Sequence, residues 1–301
     1  MTDSRTIAAA VARLLWSLWD ALGVPSVVRE HPHTCVDLEP LILFTPLLAR
    51  TDARLRELAL HWFCQHAEQV SSPRLAALAK RAPAAVREDL IDLLGPTGML
   101  PKSLGVAPTE ATRAATRPIQ LDLRQPPLVQ LRLRALVGPG MRSDVLLQLM
   151  LRHPEPLRTR VLTRLGYHKP RLLKVLHSLE QAGFVEVVME GTAKTFRLVD
   201  VDSFRHLLGV AGLSWPDWWS VFVVLVELIT FEDNARRTTV GLARLEAHST
   251  RERLAPEVAR LGVSLPLPVT ARNARAAEDL MEWGMALVVQ DLSEPAVGRR
   301  F

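Results

Sequence analysis

Lysine is scarce in this chain, accounting for only 5 of its 37 basic residues. Cysteine is scarcer: Cys35 and Cys64 are the only two in 301 residues, which excludes a disulfide-stapled secreted scaffold. Long hydrophobic runs are missing as well. The most apolar stretch, Val221 to Phe231, has 11 residues and contains Glu227. That is about half of the roughly 20 residues a membrane span needs, so a buried helix is expected. The opening MTDSRTIAAAVARLLWSLWDALG has neither the short apolar run nor the small-residue cleavage site of a signal peptide, and a cytoplasmic protein is expected. No H-E-x-x-H, Gly-x-Ser-x-Gly, phosphate-cradling Gly-Lys-Ser/Thr or dinucleotide glycine pattern occurs. The residues therefore point to no catalytic centre, no cofactor and no enzyme.

What is present is ordinary globular material, 48% hydrophobic and 23% charged, with an uneven distribution of charge. The net charge of +5 divides into −1 over residues 1–100, +4 over 101–141, +5 over 142–198 and −3 over 199–301. A basic middle between slightly acidic flanks is the asymmetry of a segment that meets a polyanion. Arginine-rich usage can reflect base composition alone, but that would not remove the acids from 101–141.

The patterning predicts a mainly α protein in four parts. Residues 1–100 read as a helical domain. Its first helix is capped by Ser4, carries Ile7, Val11, Leu14, Leu15, Leu18 and Leu22 on one stripe, and stops at Gly23. Helices follow over Leu38 to Arg50, Ala53 to Ala67 behind Asp52, from Ser72-Pro73 onward, and Ala84 to Leu94. Residues 101–127 read as a Pro-rich linker, unpacked, whose Lys102, Arg113, Arg117 and Arg124 could follow a phosphate backbone. Residues 128–200 change character. Short helices are predicted over Arg142 to Arg152 and Leu157 to Leu165. A glycine turn at Gly166 leads to a helix over Lys169 to Ala182, and a two-stranded ribbon then runs over Phe184 to Glu190 and Lys194 to Leu198. That order describes a central winged helix-turn-helix. Residues 201–301 return to helices, around 216–231, 236–248, 250–261 and 271–284, with Leu265-Pro266-Leu267-Pro268 as an extended connector.

The functional expectation rests on helix 169–182. Leu172, Val175, Leu176, Leu179 and Ala182 share one face, and Lys174, His177 and Gln181 fall opposite, beside Arg171 and Ser178, with Glu180 assigned to the core edge. Cationic and amide donors without an acid suit a helix reading base edges in the major groove of double-stranded DNA. His168 and Lys169 open the helix. Arg158, Arg160 and Arg164 before it, and Thr192, Lys194 and Arg197 on the wing, would hold the phosphate backbone. The run from Gly138 to Asp200, above all GYHKPRLLKVLHSLEQAGFVE, resembles winged-helix bacterial transcription regulators of the MarR/ArsR type. The wider arrangement, with D-x-E-P-L-I-L-F at Asp37 to Phe44 and W-P-D-W at Trp215 to Trp218, is loosely similar to regulators encoded beside nucleotidyltransferase toxins. The resemblance implies a sequence-specific DNA-binding regulator, a repressor in the simplest case; because one such module contacts few bases, a homodimer reading two half-sites is expected. It leaves open a protein-interaction or scaffold module that uses the winged helix on a partner such as a toxin. Such regulators are short, and the long flanks here depart from them.

Two further groups have more ordinary readings. His31, His33 and Cys35, with His61, Cys64 and His66, supply nitrogen and sulfur donors but match no zinc-finger spacing. A buried Cys64 and a surface His31/His33 loop are expected, and no metal. Trp215, Trp218, Trp219 and Trp283 mark either core or subunit contact, and helix 216–231 is equally a dimer face or a core helix.

Overall fold

Thr6 sets the start of the first helix in this computed structural model, which describes residues 6–104, 118–209, 213–266 and 275–291. Its hydroxyl accepts the Ala9 N–H and caps α1 (Ile7–Ala21); the Ser4 cap expected from sequence lies outside the described residues. The predicted apolar stripe of α1 is buried throughout. Past its end, Gly23 adopts φ +86°, and a Cβ there would stand 2.2 Å from the Gln120 carbonyl oxygen. Left-handed strain and a backbone collision together should make Gly23→Ala cost about 2 kcal/mol, read as a lowered urea midpoint. An unchanged midpoint would mean that the 118–123 segment does not press on this turn.

The next four helices are α2 (Leu38–Leu48), α3 (Ala53–His66), α4 (Ser72–Arg81) and α5 (Ala84–Leu94). Local signals place them well. Asp52 accepts the Leu55 N–H at 2.9 Å as the cap of α3, and Pro73 occupies the first turn of α4. Helix α2 is buried on nearly every side, including Glu39, as a helix apolar all round must be.

The middle of the chain holds α6 (Val129–Val137), α7 (Met141–Leu151), β1 (Leu157–Arg158) and α8 (Thr159–Leu162), the last continuing as a 3-10 turn to Leu165. Then come α9 (Lys169–Gln181), β2 (Val185–Glu190), β3 (Ala193–Leu198) and α10 (Val201–Leu208). The strands form an antiparallel sheet in the order β1-β3-β2, with Val185 opposite Leu198 and Leu157 opposite Phe196. Leu157 and Arg158 were expected to begin a helix. Pro156 and the free edge of β3 draw them into an extended pair instead, which buries Leu157. Asp200 caps α10 by accepting the Ser203 N–H.

The last helices are α11 (Trp218–Arg237), α12 (Val240–Leu261) and α13 (Ala276–Ala286), which passes into a π-helical turn at Leu287–Asp291. The two helices expected over 236–248 and 250–261 are one, since no glycine or proline interrupts residues 242–255. Of the expected connector, Leu267 and Pro268 lie outside the described residues.

Two hydrophobic cores organise these elements. In the first, α1–α5 pack with α11–α13. The terminal thirds of the chain therefore share one core and do not form two separate flanking domains. The reason is α11, whose Val221, Phe222, Val224, Leu225, Leu228 and Phe231 need cover on every side and find it here. Helix α11 is thus largely consumed as core. The second core joins α6 to α10 and the sheet, with Cys35 and Trp215 added. Part of the expected linker is packed: Ile119 is buried, its N–H donates to Gln65 Oε1 at 2.8 Å, and Leu121 and Leu123 lie against the first core. Arg113 and Arg117 lie outside the described residues. No helix among the described residues is long and apolar enough to cross a membrane.

Candidate nucleic-acid interface

Helix α9 is seated by Leu172, Leu176 and Leu179, all buried in the second core. That seating turns Lys169, Arg171, Lys174, His177 and Gln181 outward into solvent, with Ser178 half-buried beside them. His168 at its N-cap is exposed, as are Arg158, Arg160 and Arg164 before it and Thr192, Lys194 and Arg197 on the β2–β3 hairpin. Among the described residues, no carboxylate lies within ion-pairing distance of Lys169, Arg171, Lys174 or Lys194. Two proposed backbone contacts are already partnered. Arg158 pairs with Glu190 at 3.2 Å, and Arg197 pairs with Glu186, its neighbour across the sheet. Both pairs are exposed, so each is worth little and is easily exchanged. Glu180 departs from expectation: it is exposed, and its carboxylate lies 3.5 Å from His177 Nδ1. At i, i+3 on a helix the two share a face, so the outward side of α9 is not free of acid.

The turn that launches α9 is held by a buried polar cluster that sequence reasoning missed. Asp37 and Glu39 open α2, Arg74 lies on α4, Gln130 and Arg134 on α6, Asp144 on α7, and Tyr167 in the turn itself; all are buried. Arg74 donates to Asp37 Oδ2 at 2.6 Å, to Glu39 Oε2 at 2.7 Å and, through Nε, to the Leu165 carbonyl at 2.8 Å. Arg134 donates to Glu39 Oε1 at 2.7 Å, to Asp144 Oδ1 at 2.9 Å and to the Gln69 carbonyl at 2.8 Å. The Tyr167 hydroxyl donates to Asp144 Oδ2 at 2.7 Å. Gln130 donates to Asp37 and Asp144, and the Ser71 N–H donates to Glu39. All six carboxylate oxygens thus have donors, which is what makes the burial of these charges tolerable.

The electrostatics follow from three carboxylates facing two guanidiniums. Burial raises Asp37 above the usual carboxylate range, against the pull of Arg74, and its acid neighbours add to the rise. For Asp144 burial is outweighed by Arg134, Arg74 and the Tyr167 hydroxyl, and its carboxyl is held below that range. Tyr167 is pushed upward by burial and by Asp144. With every oxygen occupied, the cluster fastens α2, α4, α6, α7 and the α8–α9 turn together and presents no vacant acid or base. A cavity of about 40 Å³ beside Asp37 and Arg74, also lined by Gln148, Arg152 and Asp217, has room for no more than a water or two.

The histidines and cysteines disperse. His31 is buried, with Nδ1 2.9 Å from the Ser17 hydroxyl, and Cys35 is buried while Cys64 is exposed, the reverse of expectation for His31 and Cys64. Trp62 and Phe63 turn inward on α3, and Cys64 falls on its outer side. His66 donates to the Ile119 carbonyl and His61 bonds Gln65. Among the described residues, no group of three or more His, Cys, Asp or Glu is placed to hold a metal ion. Trp218 donates to the Cys35 carbonyl at 2.7 Å, and Trp219 packs edge-on to Phe44 under the Arg81 guanidinium.

No protein family, curated protein or solved structure matches this chain.

Proposed function

We propose that residues 128–200 form a winged helix-turn-helix that binds double-stranded DNA, and that the chain is a sequence-specific transcriptional regulator, acting as a repressor by occupying its site. One observation carries the reading: Lys169, Arg171 and Lys174 stand exposed, with no ion-pair partner among the described residues, along a helix whose opposite face is locked into a core. An exposed hairpin carrying Thr192 and Lys194 follows it, where a backbone contact belongs. Glu180 narrows the reading surface toward the first two turns of α9 and argues for Lys169 to Lys174 as its centre. One such module contacts few bases, so the regulator is proposed to read two half-sites as a homodimer, through a surface other than α11.

The test is fluorescence anisotropy on the chain's own upstream DNA and on random duplex at several salt concentrations. Lys174→Ala and Arg171→Ala should weaken specific binding by about 1–3 kcal/mol each and random binding less. Lys194→Ala should weaken both alike and reduce the salt slope by about one. Absence of binding to either duplex at low salt would reject the reading. The second reading, a protein-contact module, draws on Phe184, Val199 and Leu207, which are 48%, 58% and 66% exposed near α10. It predicts that charge removal on α9 leaves partner binding intact.

A further inference from the structure

Helix α4 packs into the first core, yet it also presses on the turn between α8 and α9. A Cβ at Gly166 would stand 3.0 Å from Leu78 Cδ2, and Arg74 Nε donates to the Leu165 carbonyl at 2.8 Å. The last two residues of α4 are Lys80 and Arg81, both exposed. Successive side chains on a helix diverge by about 100°, and these two flank the turn on different sides. Lys80 opens into a space shared with His168 and Arg171 at the head of α9. Arg81 opens into another, shared with Thr163 and Arg164 after α8, and both spaces reach Gly166 and Tyr167. Arg81 is held in place: its guanidinium lies 4.7 Å from the centre of the Trp219 ring and donates to the Arg164 carbonyl at 3.4 Å.

The charge here is of one sign. Neither α4 nor residues 157–165 contain an acid. Among the described residues, no carboxylate lies within ion-pairing distance of Lys80, Arg81, Arg164 or Arg171. Asp217 and Glu257 act on Arg81 only from further off, and both are engaged elsewhere, Asp217 as the cap of α11 and Glu257 with Arg260. Because Lys80 and Arg81 open into separate spaces, one small anion does not meet both. A partner with negative charges repeated along its length does, and a nucleic-acid backbone is such a partner. We propose that Lys80 and Arg81 contact DNA phosphates, so that α4, outside residues 128–200, holds the backbone beside the α8–α9 turn. The proposal rests on the DNA-binding reading and widens its footprint to the first core. Arg74, bonded to Asp37, Glu39 and the Leu165 carbonyl, fixes α4 against the turn and makes this contact a rigid part of the interface.

Basic residues in the last turn of a helix also complement its dipole, a role that needs no DNA. The experiment separates the two. Anisotropy titrations of the full chain on its upstream duplex and on random duplex would compare the parent with Lys80→Gln, Arg81→Gln and the double variant over a range of salt. Each single change should weaken both duplexes alike, by about five- to tenfold near 0.1 M salt, and reduce the salt slope by about one; the double variant should lose about two. The ratio of specific to random affinity should stay at the parent value, unlike that of Lys174→Ala. Ethylation interference should show phosphates whose modification hinders the parent but not the double variant. Urea unfolding should leave Lys80→Gln at the parent midpoint. A parental salt slope in the double variant, or a lowered midpoint with the slope unchanged, would overturn the proposal while the parent's own binding leaves the DNA-binding reading standing. A parent that binds neither duplex at low salt would overturn both.

Discussion

Arg134→Met is expected to lower the unfolding free energy by about 3–5 kcal/mol, the cost of leaving buried charges without their partner. The Arg134 side chain is fully buried and meets Glu39, Asp144 and the Gln69 carbonyl. Methionine replaces the unbranched stem but not the guanidinium or any of its hydrogen bonds, so two carboxylates would lose their principal cation in a place water does not reach. Lysine would not restore the site, because one ammonium cannot reproduce the forked contact with two acids. The measurement is urea unfolding followed by tryptophan fluorescence. Pairing the change with Glu39→Gln should return part of the loss, since it removes the charge left behind, and the two costs should be clearly non-additive. A cost under about 1 kcal/mol would show that the cluster is hydrated and the charges are not truly buried. The cluster also sets two opposing pH dependences. Asp37 binds its proton more tightly folded than unfolded, so its contribution is lost as pH rises through the raised value. Asp144 is the reverse: its contribution is present above the ordinary carboxylate range and is lost as pH falls through its lowered value.

Why this cluster escaped a reading of the sequence is instructive. The local signals worked where a single segment decides its own structure: Asp52 capping α3, Pro73 starting α4 and Gly166 ahead of α9. Periodicity likewise placed Leu172, Leu176 and Leu179 on the buried face of α9, but Val175 is only half-buried and Ala182, assigned to the same face, is exposed. The cluster draws its members from five separate elements, and each charged residue viewed alone passes for surface. One clue was available. Glu39 sits within the otherwise apolar run from Leu38 to Phe44, and an acid on a helix buried all round must have a cation partner. Which arginine meets it is a property of the tertiary arrangement. The same limit explains residues 118–127, the described end of the expected linker. Prolines there suggested a linker, whereas the alternation of Ile119, Leu121 and Leu123 was the sign of a chain laid against a core. Glu180 shows the converse error, since a helical wheel placed it near the core edge but solvent allowed its side chain to swing toward His177.

Acidification should reveal His31, buried in the loop between α1 and α2. Ser17 Oγ already accepts the backbone N–H groups of Glu30 and His31, so its hydroxyl hydrogen is free to donate to Nδ1. The ring is then the neutral tautomer protonated at Nε2, which is buried without a hydrogen-bond partner among the described residues. Burial lowers its pKa from 6.5 to about 4, outweighing the attraction of Glu30, whose own carboxylate is engaged by Arg13. The unfolded chain binds a proton at His31 below about pH 6.5 that the folded chain refuses until about pH 4. Stability from this residue is therefore complete above the upper value and drains away as pH falls through the window. At 1.36 kcal/mol for each unit, the total is about 3 kcal/mol. His31→Asn keeps an acceptor for Ser17 and removes the titration. The variant should be less stable than the parent at neutral pH, and the gap between their urea midpoints should close steadily toward pH 4. Parallel stability curves across that range would show that the imidazole charges freely in the folded protein and that the loop holding His31 is open to water.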